Sequence, residues 1–274
     1  MIELLGLDAP AAPGSPVAAL RGVHLRVQAG EQLALVGASG AGKTSLLLAL
    51  AAATRPLAGQ VRLFGQDPWA LRSAARQRLR ARLCLAPQQP PLPPRQRVVT
   101  AVLAGRLPAW GLARSLATLW QPGAQAALAA QALADFGLAD KLWSRVDRLS
   151  GGERQRVGLA RLRVSQAPLW LVDEPLSALD PVRAGQALAA LQDAARAEGR
   201  TLVCSLHQVA LARSRFARVV ALQAGRVVYD GPPEGFDEAG WQALYAATAE
   251  PAGPAASADG GAGAEPACPQ ALCR

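Results

Sequence analysis

Short apolar runs, several of them closed by glycine or proline, recur along the chain and alternate with segments of helical composition. "LRGVHLRVQAGEQLALVG" (20–37) first alternates, then becomes a continuous apolar run at 33–36 that stops at Gly37, the pattern of a buried strand. "KTSLLLALAAATR" (43–55) reads as a helix. "GQVRLFG" (59–65) reads as a short strand with a turn at Gly65. "LRSAARQRLRARL" (71–83) reads as an arginine-rich helix, and "LCLA" (83–86) as a buried strand running into the proline-rich "PQQPPLPPRQR" (87–97). From 98 to 163 the composition is helical and rich in Ala and Leu, with breaks at 108–111 and 122–123. "LWLVDEP" (169–175), "LVCSLH" (202–207) and "RVVALQAG" (218–225) are further apolar strands, the last continuing through Gly225 as a hairpin. Strands alternating with helices predict a mainly parallel α/β sheet carrying a helical insert. The stretch 246–274 is Ala/Gly/Pro-rich without a period and is expected to be a disordered tail.

Composition changes this picture little. Of 274 residues, 51% are hydrophobic and only 4% aromatic, so the core must be built from Ala, Leu and Val. The formal net charge of +9 comes almost wholly from arginine, since Lys43 and Lys141 are the only lysines. Charge alone is a weak argument for nucleic acid. The basic segment 72–82 also lacks the interleaved aromatics that would stack on bases. Cys84 and Cys204 lie in apolar runs and read as small core residues. Cys268 and Cys273 lie in the tail. Neither pair has zinc-site or disulfide-framework spacing, which fits a reducing cytosol. The N-terminus carries Glu3 and no basic segment, and apolar stretches such as 46–53 fall far short of the roughly 18 residues needed to span a bilayer. The chain is expected to be soluble and to reach any membrane through a partner.

Two segments carry recognisable chemistry. "GASGAGKT" (Gly37, Ala38, Ser39, Gly40, Ala41, Gly42, Lys43, Thr44) fits G-x-x-x-x-G-K-[ST], and it lies between an apolar strand and a helix as that motif requires. Glycines let the backbone wrap phosphates, and a helix N-terminus, here running on through Ser45, aims N–H groups at them. Lys43 would reach the outer phosphates, and the Thr44 hydroxyl would ligate Mg²⁺. "LWLVDEP" places Asp173 and Glu174 at a buried strand end, with Asp173 assigned to the metal and Glu174 to the attacking water.

A third segment, "RLSGGERQRVGLAR" (148–161), opens a helix with Ser150, Gly151 and Gly152 and reads as a second anion nest. One nucleotide cannot be wrapped by both loops. The resolution is two copies of the chain, each nest facing the γ-phosphate held by the other.

In this order the motifs resemble the ATP-binding subunits of ABC transporters over residues 1–235, with "LSGGERQR" (149–156) matching the family signature. The resemblance implies an α/β P-loop NTPase (RecA-like) core, an antiparallel β subdomain and an inserted α-helical signature subdomain at about 90–165. The ATP-binding domain as a whole would occupy 1–245. It also implies a head-to-tail dimer with two ATP molecules and Mg²⁺ between P-loop and signature. Gln88 is similar to the family's Q-loop glutamine, near Mg²⁺ and the attacking water. Ser177, Ala178, Leu179 and Asp180 match the D-loop at the dimer interface, and His207 matches the switch histidine that contacts the γ-phosphate.

Two departures stand out. Residues 1–36 hold no Phe, Tyr or Trp to stack on adenine, which leaves apolar contact through Val17 or its neighbours. The Gln88 loop is also unusually rich in proline, which predicts a stiffer contact with the membrane partner. "VLAGRL" (102–107), "LHQVALAR" (206–213) and "GRVVYDGPP" (225–233) are similar to the ATPases of phosphonate importers. That resemblance implies permease partners, an indirect periplasmic or surface solute-binding protein, and a peripheral seat on the cytoplasmic face of the inner membrane. The alternatives are an importer for another solute, or a soluble relative acting on nucleic acid. The latter usually adds tandem domains, coiled coils or zinc modules, and none is visible.

Overall fold

The computed structural model of the chain describes residues 1–246, apart from Pro13 and Gln121. The chain begins with β1 (Ile2–Pro10) and β2 (Ala18–Val27), then β3 (Gln32–Val36), α1 (Lys43–Leu50) and β4 (Ala58–Leu63). After α2 (Ser73–Arg80) and β5 (Leu83–Ala86) come α3 (Val98–Leu103), α4 (Leu112–Trp120), α5 (Ala126–Ala134) and α6 (Gly151–Val164). The expected breaks fall on 3₁₀ turns at Ala104–Ala109 and Pro122–Gln125. The chain then alternates through β6 (Leu169–Asp173), α7 (Pro181–Ala197), β7 (Thr201–Leu206), α8 (Val209–Arg215), β8 (Val219–Gln223), β9 (Arg226–Gly231) and α9 (Glu238–Ala246).

Two sheets result. One is antiparallel, in the order β2-β1-β4. The other has the order β5-β6-β7-β3-β8-β9 and is parallel except for the β8–β9 hairpin. Strand β3 explains the layering. It is buried on both faces, as parallel strands between two covering layers must be. Leu33 and Leu35 join a core with the antiparallel sheet and α1, while Ala34 and Val36 join a second core with α3, α5, α6 and α7. Leu171 and Trp170 of β6 divide between the same two cores.

The sequence reading missed β1 for a physical reason. Its buried residues are Ile2, Leu4, Leu7, Ala9 and Pro10, so the period of two slips by one at Gly6, which has a φ of 57° and lies where the register with β2 shifts. The arginine-rich helix is shorter than expected, because Leu83 already belongs to β5. Helices α7, α8 and α9 were not anticipated. Cys204 is fully buried as expected, whereas Cys84 is half-buried against the core. Cys268, Cys273 and the tail from residue 247 lie outside the described residues. Among the described residues, no helix is long and apolar enough to cross a membrane.

Candidate functional site

The C-terminal ends of β3, β6 and β7 lie side by side, and ligands of open α/β sheets bind at this edge. The loop from Gly37 to Gly42 leaves β3 and feeds α1. Gly37 adopts φ 152°, and a Cβ there would lie 2.4 Å from the Leu222 carbonyl oxygen, so only glycine fits. Helix α1 starts with no side-chain cap and no acidic residue in its first turn, which leaves its N-terminal dipole end open to an anion. The Lys43 ammonium, 4% exposed, donates to the carbonyls of Gly37 (2.8 Å) and Ala38 (3.1 Å) and lies 3.7 Å from Glu174. Burial pushes its pKa below the ordinary lysine value, while Glu174 and Asp173 pull it back up.

Asp173 ends β6 and is 6% exposed. It accepts hydrogen bonds from the Thr44 hydroxyl (2.9 Å) and the Ser205 hydroxyl (2.6 Å). Glu174 has a φ of 47°, a left-handed conformation that costs about 1–3 kcal/mol for a non-glycine residue. Its N–H donates to Ser205 Oγ (2.9 Å), which steadies the turn. The Glu174 carboxylate accepts from Gln88 Nε2 (2.9 Å) and contacts His207 Nε2. Three residues far apart in sequence, Lys43, Gln88 and His207, therefore meet on one carboxylate. Ser205 was not legible beforehand, because a serine inside an apolar strand carries no signal of its own.

A single cleft is lined by Ser39, Gly40, Gly42, Lys43, Thr44, Ser45, Gln88, Glu174 and His207, together with Ala11 and Ala19. The two alanines are what residues 1–36 contribute to the cleft outside the P-loop, whereas Val17 is 64% exposed and does not line it. Ala38 and Ala41 are buried within the loop itself.

Ser150, Gly151 and Gly152 do not line this cleft. Ser150 caps α6 in a reciprocal capping box with Glu153: its Oγ accepts from Glu153 N–H (3.2 Å), and Glu153 Oε2 accepts from Ser150 N–H (2.8 Å). It faces a separate polar concavity with Lys141, Glu153 and Arg183. Asp180 caps α7 by accepting from Arg183 N–H (3.0 Å) and also stands apart from the cleft. One chain thus brings Gln88, Asp173, Glu174 and His207 to the P-loop and leaves the signature and Asp180 elsewhere.

The start of α6 is packed tightly on 174–178. A Cβ on Gly152 would lie 2.8 Å from the Ala178 carbonyl oxygen. Gly152→Ala is therefore expected to cost about 1–3 kcal/mol by overpacking, read as a lower thermal midpoint. An unchanged midpoint would contradict the close approach.

The sheet, the P-loop and the carboxylates beside it define a P-loop nucleoside-triphosphatase. Residues 20–177 match the ABC transporter family, and the chain belongs to that family of ATP-binding cassettes. It is 57% identical over 237 residues to the phosphonates import ATP-binding protein PhnC of Polaromonas sp. (strain JS666), covering 86% of this chain and 85% of that protein. It is 55% identical over 245 residues to PhnC 2 of Pseudomonas aeruginosa (strain UCBPP-PA14), covering 89% and 91%. A dimeric bacterial ABC transporter cassette shares the fold, with a TM-score of 0.74 at 24% identity over 86% of this chain and 100% of that one. A bacterial Atm1-family ABC exporter with ATP bound superposes with a TM-score of 0.70 at 27% identity, covering 85% of this chain and 39% of that one.

Proposed function

We propose that the chain is the ATP-hydrolysing subunit of a phosphonate importer. The carrying observation is 57% identity across most of its length to a phosphonates import ATP-binding protein. It would sit on the cytoplasmic face of the inner membrane, held there by permease subunits that a solute-binding protein loads.

Residues 37–45 would cradle the triphosphate of ATP through backbone N–H groups and the Lys43 ammonium. The oxygens of Thr44, Asp173 and Gln88 are hard donors of the kind that bind a nucleotide-borne Mg²⁺ with few protein ligands. That ion, when bound, would neutralise phosphate charge. Glu174, fixed by Gln88, His207 and its own held backbone, would take the proton of the attacking water. His207 would turn from Glu174 to the γ-phosphate. Ser150, Gly151, Gly152 and Asp180 would serve the ATP of a second copy. Their separation from the P-loop cleft within one chain supports this division. The ATP-binding domain would occupy 1–245, with its signature subdomain at about 90–165.

Deleting this chain from a strain with no other phosphonate importer is expected to abolish growth on an alkylphosphonate as sole phosphorus source. Growth on inorganic phosphate should persist. Undiminished growth on the phosphonate would refute the assignment of solute.

A further inference from the structure

Gln155 belongs to α6, five residues beyond Ser150, and is 4% exposed. A buried amide requires partners, and all three of its own lie in one short segment. Nε2 donates to the Glu174 carbonyl (2.9 Å) and to Ser177 Oγ (3.1 Å), while Oε1 accepts from the Ala178 N–H (3.1 Å). The segment it grips starts at the left-handed Glu174 and ends where Gly152 of the same helix touches the Ala178 carbonyl. Helix α6 and the segment 174–178 are therefore joined at two points, one by close backbone approach and one by a side chain that spends both ends of its amide there.

We propose that Gln155 is a positioning residue that couples the two nucleotide sites of the dimer. This rests on the two-chain reading above. The start of α6 would close on the ATP held by the partner, while Glu174 acts on the ATP of its own chain. Gln155 spans the interval between them. When α6 settles on one nucleotide, its amide sets the backbone of the residue that activates water at the other. Coupling of this kind is a free energy shared between sites, carried by contiguous contacts with defined partners.

The test measures ATP turnover against ATP concentration, equilibrium ATP binding and thermal midpoint for full-length protein, unsubstituted and carrying Gln155→Met, Gln155→Glu or Ser177→Ala. The unsubstituted chain should show a Hill coefficient approaching about 2 for two coupled sites. Gln155→Met and Gln155→Glu are expected to bring it to about 1 and to lower kcat about tenfold at unchanged ATP affinity, the signature of an interaction absent from simple binding. Ser177→Ala removes one partner of the amide, leaves the helix untouched and should reduce cooperativity in the same direction. It keeps the proposal testable if Gln155→Met fails to fold.

A lower thermal midpoint with the Hill coefficient retained would reduce Gln155 to a packing residue and overturn the proposal. So would a Hill coefficient of about 1 in the unsubstituted chain. Size-exclusion of the Glu174→Gln protein with ATP tests the two-chain reading separately. Failure to dimerise overturns both, whereas a dimer whose partner variants at Gln155 retain cooperativity overturns the coupling alone.

Discussion

Glu174→Gln is expected to lower ATP turnover by about 10²–10⁴-fold, the usual contribution of a positioned general base, while ATP binding persists. The substitution preserves shape and keeps an oxygen to accept from Gln88, so the turn at 174 and its bond to Ser205 should survive. What it removes is the capacity to accept a proton. ATP would then hold the two chains together without being consumed, and a stable dimer should accumulate. Phosphate release and size-exclusion in ATP measure the two effects. Turnover within a few-fold of the unsubstituted chain would remove Glu174 from the chemistry.

Lys43→Ala is expected to act earlier, on binding. Its ammonium is the one cationic side chain lining the cleft among the described residues, apart from His207 when protonated. Truncating one partner of a buried, charge-assisted contact costs about 2–5 kcal/mol, or roughly 30- to 4000-fold in Kd for ATP. Equilibrium dialysis checks it, and an unchanged Kd would sink the role assigned to the loop. The depressed Lys43 pKa points the same way. The unfolded chain holds this proton more tightly, so burial of the ammonium opposes folding below the folded pKa. Stability should rise with pH between the folded value and the ordinary one. A phosphate beside the ammonium offsets that desolvation, so binding is favoured where the bare chain is strained.

The strands that build the site were legible because both faces of β3, β6 and β7 are buried and their apolar runs end in motif residues. Lys43 and Glu174 were expected at one site from their motifs, whereas the convergence of Gln88 and His207 on it was expected only through resemblance, since spacing in sequence says nothing about which loops converge. Ser205 and Gln155 were missed for opposite reasons. Ser205 hides as one hydroxyl in an apolar strand. Gln155 sits between two arginines on a helix start that reads as solvated surface, yet the helix is turned so that the amide is buried. Helix α7 carries seven alanines in an Ala-rich chain, which gave it too little contrast to stand out.

The floor of the cleft has a mechanical consequence. Asp173 and Ser205 occupy directly paired positions of β6 and β7, and β3, which delivers Thr44, is hydrogen-bonded along the other edge of β7. These groups cannot shift relative to one another without breaking ladder bonds. Gln88, by contrast, is carried on a loop beyond its strand, and His207 stands just past the end of β7. The sheet is the fixed jaw of a vice, and a displacement of the segments that carry Gln88 and His207 would alter their contacts with Glu174 without breaking a ladder bond.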